Sequence, residues 1–231
     1  MRVILTLFLL TIFILSCKND RSTRTNNDTE LTAELEQDKT FSTAEMIANK
    51  NGFENWDNIS EIQFTFNVDR GVNHSERSWI WKPQTNDVTM MTATDTVNYN
   101  RTSMDSITMK SDAAFINDKY WLLAPFNLAW DEGTTFSEKE NVVAPISKDT
   151  LNQLTVVYGN QGGYTPGDAY DFYFGKDFII KEWVFRQKNA SEPSMITTWE
   201  DYETFEGIEI AKMHKDPTGD FKLYFTNIKV K

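Results

Sequence analysis

The stretch AAFINDKYWLLAPFNLAW, residues 113–130, is a dense apolar run bordered by Asp112 and Asp131. On both sides of it, apolar and polar residues alternate with the period of two that marks β-strands. The run's length, its lone Pro125 and its acidic borders suit one or two short helices better than a strand. A sheet protein carrying such an insert has two uses for it. It can plug the sheet as ordinary core, or it can lid a hydrophobic cavity.

Working outward, Ser42-Thr43-Ala44-Glu45 has the spacing of a capping box and predicts a helix over residues 43–51, with Gly52 closing it. Ile62, Phe64, Phe66 and Val68 alternate with polar residues and predict a half-buried strand. Trp79 and Trp81 share a face of the next strand, which Pro83 ends. Short strands are expected over residues 88–93 and 97–101, and Ile107 and Met109 read as the start of another.

After the insert, strands are expected over residues 141–144, 154–158, 170–174, 178–185, 195–202, 208–214 and 221–230. Gly175-Lys176 reads as a two-residue hairpin turn. Asp216-Pro217-Thr218-Gly219 reads as another turn, and a slip of the alternation near Thr226 predicts a bulge. The fold expected is mainly β: a curved antiparallel sheet, an unclosed half-barrel of about ten or eleven strands. An N-terminal helix and short helices occupy its concave side, because a flat sheet this wide would curl or split.

The first residues read as an address. Arg2 precedes thirteen residues, 3–15, interrupted only by Thr6 and Thr11, which fits a secretory signal and is short of the roughly 20 residues of a bilayer span. Cys17, the only cysteine, follows directly after Ser16, so no disulfide within the chain and no cysteine zinc site can form. Residues 18–40 are polar and lack aromatics until Phe41; as a flexible tether they reach roughly 25–30 Å. The organisation expected is a signal peptide over 1–16, a lipidated tether over 17–40 and one domain over 41–231.

Residues 17–231 carry 22 Lys plus Arg against 34 Asp plus Glu, a net charge of −12 once Arg2 is set aside. That charge repels phosphate backbones, so no nucleic acid is expected as a partner. Neither His74 nor His214 belongs to a ligand trio, no nucleophile elbow is present, and the glycine loop over 159–167 lacks a phosphate-binding Lys-Ser/Thr pair. No catalytic residue, metal or cofactor is therefore expected. Asp131, Glu132 and Asp168 are the least arbitrary carboxylates for a hydrolase, and capping of helix and turn accounts for them.

Ile14-Leu15-Ser16-Cys17 resembles the lipobox of bacterial lipoproteins, which implies acylation of Cys17 and anchoring to the membrane by its acyl chains. The following Lys18 is unlike the Asp of inner-membrane retention, which implies the outer membrane of a Gram-negative cell, facing periplasm or exterior. Residues 117–126, 163–170 and 181–186 are similar to patterns in lipoproteins of the lipoprotein-sorting (LolA/LolB-like) superfamily. That resemblance implies a half-barrel that binds a lipid or other hydrophobic ligand in the envelope and is no enzyme. Phe64, Phe66, Trp79, Trp81, Trp121, Leu122, Leu123, Phe126 and Trp130 are the residues expected to line its cavity. The alternative is a structural lipoprotein with a filled core that binds a protein partner in the envelope.

Overall fold

A computed structural model describes residues 40–161 and 165–231. The expected signal peptide, Cys17 and all but the last residue of the expected tether lie outside the described residues. The description starts at helix α1 (Thr43–Lys50), where the Ser42 hydroxyl accepts from the Glu45 N–H at 3.2 Å and the Glu45 carboxylate accepts from the Ser42 N–H at 2.8 Å. These two bonds satisfy orphan amides of the first turn, as the capping box predicts. Gly52 then takes φ +87° and opens a short 3₁₀ turn, Phe53–Asn58.

Four strands follow: β1 (Ile62–Arg70), β2 (Asn73–Lys82), β3 (Asp87–Met91) and β4 (Thr96–Asn100). Helix α2 (Thr108–Trp130) separates them from β5 (Thr134–Val143), β6 (Thr150–Tyr158), β7 (Ala169–Phe174), β8 (Ile180–Arg186) and β9 (Met195–Thr198). The chain ends with β10 (Glu200–Phe205), β11 (Ile208–Lys215) and β12 (Phe221–Val230). Every pairing is antiparallel; one sheet runs β10-β11-β12-β1-β2-β3-β4 and the other β5-β6-β7-β8-β9.

The two sheets meet at Trp199, where the predicted single strand over 195–202 bends and changes sheets. Its amide still donates to the Lys181 carbonyl at 2.7 Å, while the Lys215 amide donates to the Thr198 hydroxyl at 3.1 Å. The twelve strands among the described residues thus form an unclosed surface whose edges, β4 and β5, are bridged in sequence by α2. The core lies between the inner face of this surface and the two helices: Phe64, Phe66, Trp79 and Trp81 from β1 and β2 meet Phe115, Leu122 and Phe126 from α2.

One local expectation holds and three are corrected. Residues 113–130 form the greater part of α2, two helical segments joined at a kink at Leu123 (φ −128°, ψ 27°), in line with the one or two short helices expected there. Pro125 supplies the cause, since it has no N–H and its ring crowds the preceding turn. Ile107 and Met109 do not start a strand, because Asp105 Oδ1 accepts from the Ile107 and Thr108 amides at 3.0 and 2.8 Å and starts α2 there.

The Gly175 connection runs over five residues, 175–179, rather than two. Phe178 turns back at φ +59° to stack on Phe174 at 5.8 Å, which takes it out of the strand. Finally, β1 is buried on both faces around Thr65 and Asn67. The bulge in β12 does this: Asn67 Nδ2 donates to the Tyr224 carbonyl at 3.2 Å and to Thr226 Oγ1 at 3.1 Å, so neither polar group is left unsatisfied.

Candidate functional site

Helix α2 is apolar all the way round over residues 120–126, so it is buried on several sides at once. Two buried carboxylates hold its first half against the seven-stranded sheet. Asp118 accepts from Arg77 Nε and Nη2 at 3.0 and 2.7 Å and from Trp79 Nε1 at 2.8 Å. Asp112 accepts from Arg101 Nε at 2.8 Å and from the Tyr99 hydroxyl at 3.1 Å. Burial pushes the Asp118 carboxyl above its ordinary value, while Arg77 pulls the other way.

On the opposite side the helix meets the five-stranded sheet through aromatic rings. Trp121 stands edge-on to Trp183 at 4.3 Å, and Tyr120 lies 4.8 Å from Tyr170. Tyr158 donates its single phenol proton to Asp131 Oδ2 at 2.7 Å, so its oxygen, 3.0 Å from that of Tyr120, accepts from Tyr120. Burial raises the pKa of both phenols, which keeps them neutral.

Between this face of α2, the five-stranded sheet and the β1–β12 end of the other sheet there is a cavity of about 1310 Å³. That exceeds the roughly 300–1,000 Å³ of ordinary small-molecule pockets. Its apolar wall comes from Phe66, Val68, Ile116, Trp121, Phe185, Met195 and Leu223. Polar groups are part of the lining as well: Arg77, Arg101, Lys119, Asp131, Tyr158 and Asp168 all face it.

Of the nine side chains expected to line a cavity, Phe66, Trp121 and Trp130 do so. Phe64, Trp79, Trp81, Leu122, Leu123 and Phe126 are buried in the packed core and are not in the lining. The five-stranded sheet contributes Tyr158, Tyr170, Trp183, Phe185 and Met195, which sequence reasoning did not select. For Tyr170, Trp183 and Phe185 the signal was the run of aromatics over 170–185, legible as strand but silent about which face looks into space.

Asp131, Glu132 and Asp168 all border the cavity. Asp131 holds Tyr158, and Asp168 Oδ1 accepts from the Lys188 amide at 2.7 Å. His74 is exposed and 2.7 Å from Asp69, whose hydrogen bond raises its pKa. His214 is fully buried, with Nδ1 3.2 Å from the Thr198 carbonyl, and burial pushes its pKa down to about 3. Among the described residues no group of three or more His, Cys, Asp or Glu could hold a metal ion. Nor, among them, is any helix long and apolar enough to cross a membrane.

No family model and no curated protein matches the sequence. Among solved structures the chain is similar to a LolA superfamily protein from Nitrosomonas europaea, at 9% identity and a TM-score of 0.48, over 83% of this chain and 94% of that one. It is also similar to a DUF1329 family protein from Desulfovibrio piger, at 11% identity and a TM-score of 0.46, over 82% and 92%. A third is a domain from Vibrio parahaemolyticus described as an outer membrane lipoprotein-sorting protein, at 8% identity and a TM-score of 0.45, over 81% and 93%. Likeness at this level concerns the course of the backbone and assigns no ligand or role to this chain.

Proposed function

We propose that this protein is a non-enzymatic, membrane-anchored lipoprotein whose half-barrel binds a lipid or another long hydrophobic ligand in the cell envelope. One observation supports the binding reading above the others: the cavity of about 1310 Å³ between α2 and the inner faces of the sheets, with an apolar wall. Burying about 300 Å² of a chain there yields about 7 kcal/mol gross. Association itself costs several kcal/mol, so the ligand must be long or carry a polar group that is also recognised. The anchoring reading rests on Cys17 and the apolar run before it. It places the domain at the outer membrane, on the periplasmic or the outer side.

Native mass spectrometry of the purified protein, followed by solvent extraction, tests the binding reading. The expected result is a co-purifying amphiphile or uptake of a fluorescent fatty-acid probe. A protein that stays empty and ignores the probe refutes it. Cys17→Ser tests the anchor: loss of acylation and release from the membrane are expected, and an unchanged membrane-bound fraction would count against it.

A second reading draws on the six expected cavity residues that are packed as core. On that reading the inside is structural and an outer surface binds an envelope protein. Co-purification of one fixed protein partner, with no bound lipid, favours it.

A further inference from the structure

Lys119 points from α2 into the cavity wall, half-buried, with its ammonium 5.1 Å from the Trp130 ring centre and 5.9 Å from that of Trp81. Among the described residues no carboxylate lies within salt-bridge distance of it, and its hydrogen bond is a long one, 3.4 Å to Asn127 Oδ1. The charged groups that face it are Asp131 at the end of α2, Asp112 two turns before it, and Arg101 directly after β4. Asp131 already accepts a hydrogen bond from the Tyr158 hydroxyl, and Asp112 already accepts from Arg101 and Tyr99. Burial pulls the lysine pKa down to about 8 in spite of those two carboxylates.

A cation partly removed from water without a counter-ion at contact is costly, and two indole faces offset only part of that cost. The cavity that Lys119 borders is the space where the missing anion would come from. We infer that the ligand of this cavity is an anionic amphiphile, an acyl chain ending in a carboxylate or a phosphate, with that group seated on Lys119. The inference rests on the binding function proposed above and adds the chemistry of the headgroup. Phosphate and carboxylate satisfy an ammonium alike, and a charge-assisted hydrogen bond in a half-dry site discriminates them from an uncharged alcohol by about tenfold or more.

The test uses the purified full-length protein loaded at pH 7 with the uncharged probe N-phenyl-1-naphthylamine, displaced by palmitate, by 1-palmitoyl lysophosphatidate or by hexadecanol. At least one of the two anions is expected to displace the probe at about a tenth of the hexadecanol concentration, and which one does so separates a carboxylate ligand from a phosphate one. Lys119→Met is expected to bring that anion level with hexadecanol, and Lys119→Arg is expected to keep the preference. Equal displacement by all three amphiphiles in the wild type overturns the headgroup assignment and leaves apolar binding standing. So does a preference that survives in Lys119→Met, which would make the lysine a packing residue for the two indoles. If Lys119→Met does not fold, raising the pH to 10 on the wild type must shrink the preference as the ammonium is lost, and a preference unchanged at pH 10 overturns the assignment. Failure of probe and hexadecanol alike to bind defeats the apolar-binding reading and the headgroup with it.

Discussion

His214 makes the protein acid-labile by an amount that can be worked out. Its ring is fully buried between Trp199 at 4.5 Å, Trp121 at 5.3 Å and Phe225 at 6.0 Å, and Nε2 has no hydrogen-bond partner among the described residues. Burial holds its native pKa at about 3, below the 6.5 of a free imidazole. Between pH 7 and pH 5 the unfolded chain therefore takes up a proton that the folded chain refuses. Stability is present in full above the unfolded value and declines as pH falls from about 6.5 toward 3. At pH 5 the loss relative to pH 7 is about 2 kcal/mol, because the unfolded state gains about 1.4 pK units of proton binding at 1.36 kcal/mol each. The native histidine stays neutral throughout that interval, so the figure is set by the unfolded imidazole. Urea unfolding followed by tryptophan fluorescence at the two pH values measures it. His214→Phe removes the titration and should lose about 2 kcal/mol less than the wild type on the same acid step, whatever its stability at pH 7. Equal losses in the two proteins would show that the ring is not neutral and buried as described.

Arg77→Met leaves the buried Asp118 carboxylate without its counter-ion and is expected to cost about 3–5 kcal/mol by thermal or chemical unfolding. The double variant Arg77→Met/Asp118→Leu should recover much of that, and a double variant as unstable as the single one would argue against an ion pair holding α2. Gly52→Ala should destabilise by about 2 kcal/mol or more, since its φ is +87° and a Cβ would meet the Gly207 carbonyl oxygen at 2.0 Å. An unfolding midpoint within error of wild type would mean that α1 and the β10–β11 turn do not meet there.

What could be read from the sequence is what neighbouring residues decide among themselves. The capping box of Ser42 and Glu45, the turn at residues 216–219, the bulge after Thr226 and the break caused by Pro125 are local chemistry, and each stands where the pattern puts it. The alternation in β1, β2 and β12 likewise assigns each side chain to a face. The failures have two causes. Asp105 is a local start signal that the apparent alternation of Ile107 and Met109 obscured, whereas Trp199 bends one strand into two sheets where its amide meets the distant Lys181 carbonyl.

The candidate site was legible only in outline. A period of two says which way Phe64 and Phe66 point, yet Phe64 meets packed side chains while Phe66 meets open space. Nor does anything near Asp112, Asp118 or Lys119 in sequence say that the first two are buried and paired with arginines, or that the third is half-buried with no carboxylate at salt-bridge distance among the described residues. The sequence by itself determined the elements, their order and the apolar segment they wrap. Only the tertiary structure decided where the wrapping leaves a void and which charge faces it, because a void and an unpaired charge are properties of surfaces brought together from opposite ends of the chain.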